Sequence, residues 1–230
     1  NNNSNVTAYI DDFTYDGVLP SLPEFNDLVW SDEFDIDGAV NASFWYHQTQ
    51  LPSIGSWYNG EVQHYTDRVD NSVVENGILK IIAKKESFTD QGITKEYTSA
   101  RLNSKFAFQY GKVEIRAKLP QGDGTWPALW MLGKNINEDG GYWDNLSYGT
   151  TGWPACGEID IIEHWGSNQN HVSSATHTTS SSGATINTAG QTINTASSDF
   201  HVYGLIWNQD KLIFSVDDVV HFVYSPQVKN

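Results

Sequence analysis

Three carboxylates stand close together in one short apolar stretch of the chain. Glu158, Asp160 and Glu163 lie within six residues and are separated only by isoleucines. Burying a carboxylate without a partner is costly, so acids in such a stretch indicate a functional role. Side chains alternate along a strand, which puts Glu158 and Asp160 on one face and Glu163 on the other. A β-bulge at Ile161-Ile162 would bring Glu163 back beside the other two, and the spacing predicts one.

Two glutamates on one strand face predict a specific chemistry. A retaining glycosidase needs two carboxyl groups about 5 Å apart, one as nucleophile and one as proton donor. The alternative is a solvated edge strand with scattered acids. Ile159, Ile161 and Ile162 are too apolar for a free edge, and Trp153 and Trp165 flank the stretch. These residues favour the catalytic interpretation.

A second segment supplies aromatic rings on one strand face. Alternation puts Trp126, Ala128 and Trp130 on the same side, with the two tryptophans about 13 Å apart. Aromatic rings stack on the apolar C–H face of a pyranose, so this spacing suits two sugar platforms. One platform and one core residue, or two core residues, are the alternatives.

Arg101 and His177 each have two interpretations, and His164 and Cys156 have one each. Arg101 lies in a polar strand and either binds sugar hydroxyls or pairs with an acid. His177 is either a hydrogen-bond donor in a cleft or a satisfied strand histidine, whereas His164 should point to the face opposite Glu163. Cys156 is the only cysteine, which excludes an intrachain disulfide and a cysteine metal cluster. We predict a buried structural thiol.

Composition limits the partners. Aromatic residues make up 13% of the 230 residues, and the formal net charge is −15. Such a charge argues against nucleic acids, anionic membranes and strongly anionic polysaccharides, so a neutral substrate fits best. No run of 18 apolar residues predicts a membrane span. The acidic, Asn/Ser/Thr-rich composition is typical of a secreted protein.

The remaining patterns predict an all-β domain. Residues 112–120 alternate between apolar and polar, residues 77–85 form a nearly continuous apolar run, and residues 201–224 have the pattern of a three-stranded meander. No segment has a sustained helical period, so we predict a β-sandwich of antiparallel sheets. Residues 1–27 are expected to be a linker or N-terminal extension.

Two polar segments interrupt this pattern. Residues 134–152 form a long loop before the acidic strand, and loops of this length usually have a function or are disordered. Because it carries Tyr142, Trp143 and Tyr148, we predict a cleft wall. Residues 166–198 predict a weak strand around 175–177 followed by a mobile loop.

These segments together resemble the family 16 glycoside hydrolases, and within them the bacterial laminarinases. The resemblance is carried by residues 152–163 (GWPACGEIDIIE) and 124–131 (GTWPALWM), with further matches at 28–34, 61–66 and 97–102. It implies a β-jelly-roll sandwich with an open cleft, residues 28–230 as the catalytic domain, and retaining endo-hydrolysis of β-1,3-glucan by a bacterial enzyme. A monomer acting on a neutral β-glucan is expected.

The resemblance also implies roles for individual residues. Glu158 would be the nucleophile, Glu163 the general acid/base, and Asp160 the residue that holds the pair in register. The positions that match the sugar-binding residues of the family are Asn59, Glu61, Arg101, Trp126, Trp130, Trp153 and His177. Catalysis would need no cofactor. A structural calcium would be held partly by the carbonyls of Glu33 and Gly77.

Two features depart from the family pattern. The loop at 134–152 is longer than the usual turn, and the chain ends at Asn230, before the apolar and closing strands that the resemblance leads us to expect. The alternative functions are a non-catalytic β-glucan-binding module, or a same-fold hydrolase of mixed-linkage glucan or agar. The presence of both glutamates opposes the first alternative, and Trp153-Pro154 with the net charge opposes agar and sulfated substrates.

Overall fold

The computed structural model describes residues 25–226. Most of the proposed N-terminal extension, residues 1–24, therefore lies outside the described residues. The strands in this part of the chain are β1 (Trp45–His47), β2 (His64–Tyr65), β3 (Ser72–Glu75), β4 (Ile78–Ile81), β5 (Lys84–Asp90), β6 (Ile93–Ser99), β7 (Leu102–Ser104), β8 (Gly111–Ala117), β9 (Ala128–Leu132), β10 (Glu158–Glu163), β11 (His171–His177), β12 (Thr188–Thr192), β13 (His201–Trp207), β14 (Leu212–Val216) and β15 (Val219–Tyr224). Helical structure in residues 25–226 is limited to α1 (Tyr142–Asn145) and a short 3-10 turn, Gly166–Asn168.

The all-β prediction is confirmed. One four-stranded sheet has the order β12-β11-β10-β9, and we name it the acidic sheet because β10 carries the three carboxylates. A second has the order β15-β14-β13-β8, and we name it the opposing sheet. Smaller sheets pair β1 with β7, β3 with β4, and β2 with β6 and β5. Only the β2–β6 pairing is parallel among the described strands.

The core lies between the acidic and opposing sheets. Ile161, Ile162 and Val172 from the acidic sheet belong to the same apolar cluster as Leu205 and Phe214 from the opposing sheet. All five side chains are almost completely buried. Burial of large aliphatic and aromatic side chains is the main favourable contribution to a fold of this kind. The acidic strand is therefore fixed from behind by the core.

Local sequence explains the hairpins. Strand β8 alternates as predicted, with Val113 and Ile115 turned inward and Glu114 exposed. The meander β13–β14–β15 is confirmed, and both residues of its second turn, Asp217 and Asp218, have positive φ angles. Two consecutive positive φ angles fit a type I′ hairpin, whose twist matches that of the strands.

Two expectations about strands need correction. The apolar run at 77–85 is divided between β4 and β5, and Ile78 and Ile81 are exposed in the described part of the chain. The segment 166–198 holds two strands rather than one weak strand and a loop. β11 and β12 pair along their length, so backbone hydrogen bonding to neighbouring strands outweighs the polar Ser/Thr composition.

None of the helices formed by residues 25–226 has the length and apolar character needed to cross a membrane.

Candidate active site

The acidic strand has the predicted bulge. On its β11 side, Asp160 pairs with Ala175 and Glu163 pairs with Ser173, so Ile161 and Ile162 together face one residue, Ser174. The pairing with β9 shifts at the same place. The extra residue returns Glu163 to the face that holds Glu158 and Asp160.

Each glutamate accepts a hydrogen bond from a tryptophan. Trp153 Nε1 donates to Glu158 Oε2 at 2.7 Å, and Trp126 Nε1 donates to Glu163 Oε1 at 3.0 Å. Both tryptophans are nearly half exposed, so each leaves apolar ring surface accessible to a ligand. The sequence predicted rings for stacking but missed this second role. The signal was available in principle, because an indole N–H near buried acids needs an acceptor.

Trp126 lies just before β9, not inside it, and its ring is stacked on Trp165 at a centroid distance of 5.5 Å. Trp130 lies within β9, directly across from Asp160. The predicted common face of Trp126, Ala128 and Trp130 agrees with these contacts, because Ala128 pairs with Glu163.

His177 belongs to the same group of side chains. It pairs with Glu158 across β10 and β11. Its Nε2 lies 3.1 Å from Asp160 Oδ2 and 3.8 Å from Glu158 Oε1. The contact with Asp160 raises the pKa of His177. His177 therefore lies beside the acids, and its contact with Asp160 agrees with both interpretations of it. His164 is completely buried.

The environment raises the pKa of both glutamates. Burial disfavours the charged carboxylate and the negative charge of Asp160 adds to this effect, so the pKa of Glu158 and that of Glu163 both rise to about 7. The indole N–H groups and His177 oppose the rise at both sites. Arg101 also lowers the pKa of Glu158, and it is not among the leading causes at Glu163.

Arg101 pairs with an acid, which was one of its two interpretations. Its Nη2 donates to Glu138 Oε1 at 2.6 Å, and both side chains are only 12% exposed. The guanidinium also lies over the rings of Trp57 and Trp130, at 5.2 and 4.8 Å from their centroids. Sequence reasoning missed Glu138, because a lone glutamate in a loop gives no signal of a partner 37 residues away.

Glu61 and Asn59 lie on the loop before β2. Glu61 Oε2 accepts hydrogen bonds from Tyr65 Oη at 2.7 Å and from Gln63 Nε2 at 2.8 Å. Tyr65 contacts the ring of Trp57, which places Glu61 near the Arg101 cluster. Asn59 is exposed at a turn with φ 57°. Sugar binding by these two residues stays a prediction.

The long loop is ordered around its own rings. Tyr142 and Tyr148 both pack against Trp143, and Lys134 Nζ lies over Trp143 and Tyr148. Glu138 joins the loop to Arg101, and Tyr142 N donates to Asn103 Oδ1 at 3.0 Å. The prediction that Cys156 is buried is corrected: its side chain is partly exposed.

Two groups of residues are candidates for metal binding. Among residues 25–226, Glu158, Asp160 and His177 form the one group of at least three acidic, histidine or cysteine side chains whose ligand atoms come within 4.8 Å of one another. His177 contacts both carboxylates of this group. Glu33 and Gly77 are exposed on neighbouring segments joined by a Gly38–Val74 bridge. Calcium there would depend on main-chain carbonyls, and it stays a prediction.

Comparison with known proteins agrees with this geometry. The family described as "Glycosyl hydrolases family 16" matches residues 59–230. This chain belongs to that family. LamA from Zobellia galactanivorans, crystallised with laminaritriose and laminaritetraose, is 47% identical with a TM-score of 0.82, over 88% of this chain and 82% of that one. The family resemblance and the jelly-roll fold are confirmed.

Two curated relatives are longer proteins. The beta-glucanase of Rhodothermus marinus is 39% identical over 85% of this chain and 64% of its own length. The glucan endo-1,3-beta-glucosidase A1 of Niallia circulans is 36% identical over 86% of this chain and 29% of its own length. The chain therefore spans less than two thirds of either relative.

The raised pKa of Glu163 predicts a pH-dependent effect of Glu163→Gln on stability. The pKa is about 4.5 in the unfolded chain and about 7 in the folded one, so the folded state binds more protons between these values and loses stability as the pH rises. Below pH 4.5 there is no penalty, and above pH 7 it is complete. Glutamine avoids it, so Glu163→Gln should be more stable than wild type by about 1–3 kcal/mol at pH 8 and equal to it near pH 4.

Urea unfolding at the two pH values measures this difference. Glu96→Gln, at an exposed position on β6, serves as the control and should show no such dependence. A stability difference for Glu163→Gln that is the same at both pH values would contradict the raised pKa.

Proposed function

We propose that this protein is a retaining endo-β-1,3-glucanase that acts on laminarin-type glucan. The observation that carries the proposal is the position of Glu158 and Glu163 on one face of β10, each bonded to a tryptophan N–H. Two carboxyl groups flanking a sugar are the requirement for glycoside hydrolysis by double displacement. The family membership and the names of the relatives support the same activity.

The proposed mechanism has two steps. Glu158 attacks the anomeric carbon while Glu163 protonates the departing glycosidic oxygen, which gives a covalent glycosyl-enzyme. Glu163 then removes a proton from water, which attacks the same carbon and releases Glu158. Asp160 lies between the two on the strand and contacts His177.

The surroundings support this assignment of roles. A nucleophile has to be ionised, and Trp153, His177 and Arg101 favour the charged form of Glu158 against burial and Asp160, which raise its pKa to about 7. The acid has to hold a proton. Burial and Asp160 raise the pKa of both glutamates, but at Glu163 the charge of Glu158 adds to the rise and Arg101 is not among the leading opposing causes.

A neutral β-1,3-glucan is the substrate class that the chain favours. LamA was crystallised with laminaritriose and laminaritetraose, which are short β-1,3-glucans. The net charge of −15 would repel sulfated chains, and the exposed ring surfaces of Trp126 and Trp153 can pack on uncharged sugars. A non-catalytic glucan-binding module would not need two glutamates with raised pKa values. A hydrolase of mixed-linkage glucan is the remaining alternative.

Three further proposals accompany this function. Secretion from a bacterial cell fits the acidic composition and a polysaccharide substrate too large to enter the cell. A monomer suits an open cleft that has to admit a long chain. Calcium held by the carbonyls of Glu33 and Gly77 would stabilise the fold away from the acids and would play no part in catalysis.

The stereochemistry of the product tests the two-glutamate mechanism. Because two inversions at the same carbon restore its configuration, the first product of laminarin cleavage should be the β-anomer. Proton NMR during the first minutes of the reaction, before mutarotation, distinguishes the anomers. An α-anomer as first product would rule out double displacement.

Removing either glutamate should abolish hydrolysis and spare binding. Glu158→Ser and Glu163→Gln should each lower kcat on laminarin by at least about 1,000-fold, because each removes a group that acts in the transition state. Calorimetric binding of laminaritetraose should stay within about tenfold of wild type, since no stacking ring is lost. Glu114→Gln, at an exposed position of β8, is the control. Activity within tenfold of wild type in both variants would refute the assignment.

Shortening the loop at 134–152 to a tight turn should broaden the substrate range. The loop holds Arg101 through Glu138, beside Trp57 and Trp130, so its removal should free this side of the site. The ratio of kcat/KM on laminarin to that on lichenan should fall at least about threefold. Asn145→Ala keeps the loop and removes one exposed bond to Tyr46, so it should leave the ratio unchanged. An unchanged ratio in the shortened protein would show that the loop does not select substrates.

A further inference from the structure

The bulge in β10 takes the backbone of Ile161 out of the regular pairing between strands. Ile161 drops out of the pairing with β9, and on the β11 side Ile161 and Ile162 share one opposite residue, Ser174. A buried carbonyl without a donor is costly. Ser174 Oγ donates to Ile161 O at 2.7 Å, and the Ser174 side chain is completely buried. A side chain thus supplies the hydrogen bond at the bulge.

A histidine from the opposing sheet orients this hydroxyl. His221 Nε2 lies 2.8 Å from Ser174 Oγ, and Gln191 Nε2 lies 3.2 Å from His221 Nδ1. Because the single hydroxyl proton goes to Ile161 O, Nε2–H of His221 has to donate to Ser174 Oγ. Nδ1 is then the acceptor for the Gln191 amide. Burial lowers the pKa of His221, and His171 lowers it further, which agrees with a neutral ring.

This chain of hydrogen bonds connects the opposing sheet to the acidic sheet. It runs from His221 on β15 to Ser174 on β11 and ends at Ile161 on β10, with Gln191 on β12 fixing the ring at its start. None of these groups is within the acidic face itself. The chain ends two residues before Glu163, at the backbone kink that decides where this carboxyl group points.

We propose that Ser174, oriented by His221, is a positioning residue that fixes the bulge and thereby sets Glu163 against Glu158. This inference rests on the proposed function and adds to it a role for a buried residue of the acidic sheet. Supporting hydrogen bonds of this kind hold catalytic groups within a narrow range of geometry, and small displacements reduce the rate strongly.

The test is a comparison of two substrates in Ser174→Ala. Cleavage of laminarin needs a proton from Glu163, whereas a 2,4-dinitrophenyl β-laminaribioside has a leaving group that departs without one. If Glu163 is displaced, kcat/KM on laminarin should fall on the order of 10- to 100-fold. On the aryl glycoside, where kcat/KM reports only glycosylation, it should stay within about threefold of wild type.

Thr188→Val is the matched control. Thr188 Oγ1, on β12, donates to the carbonyl of Ser174 at 2.8 Å, so this change removes a similar hydroxyl–carbonyl bond between β11 and β12, away from the bulge in β10. Both substrates should react within about threefold of wild type. Ser174→Thr retains the hydroxyl and should recover most of the laminarin activity. If Ser174→Ala does not fold, His221→Gln replaces it and should show the same selective loss.

Glu163→Gln, measured in parallel, tests the acid role of Glu163 separately from the positioning role of Ser174. If it loses activity on laminarin and keeps glycosylation of the aryl glycoside, the acid role of Glu163 holds, and otherwise the proposed function fails. With that role established, the inference is overturned if Ser174→Ala and His221→Gln both lower kcat/KM equally on laminarin and on the aryl glycoside. It is overturned as well if both substitutions leave kcat/KM unchanged on the two substrates.

Discussion

Three carboxylates have to share one face of one strand, and the rest of the structure follows from that constraint. Negative charges this close repel one another, and burial makes each of them more costly. The raised pKa values of Glu158 and Glu163 are the direct consequence. The site lowers the cost with N–H donors from two indoles and with His177 beside Asp160. Each of these groups comes from a different segment, so the fold has to bring them together.

The two-sheet arrangement explains how a bulged strand stays in place. The face of β10 opposite the acids carries Ile161 and Ile162, which pack into the core with Leu205 and Phe214. The backbone is therefore held by apolar packing from behind, while the polar face stays open. A loop would not provide this rigidity. A strand with a bulge provides both an anchor and a local change of direction.

Local features of the site were predictable from sequence, and features that join distant segments were not. The bulge follows from counting residues between acids, and β8 and the meander follow from alternation. The pairing of Arg101 with Glu138 and the contact of Ser174 with His221 join residues 37 and 47 positions apart. No periodicity reports such contacts. The sequence predicts only a weak strand at β11 because its serines and threonines are typical of loops. Its neighbours on both sides supply the backbone hydrogen bonds that make it a strand.

Trp126 and Trp153 each combine two properties in one side chain. The indole presents an open apolar surface, and its N–H reaches a carboxylate at 3.0 or 2.7 Å. Phenylalanine would keep the surface and lose the donor, and tyrosine would put its polar hydrogen at a different reach and angle. The usual exchange of one aromatic residue for another is therefore not conservative at these positions. Under the proposed function, sugar binding and the ionisation of the glutamates depend on the same two side chains, so a substitution at either position would change both.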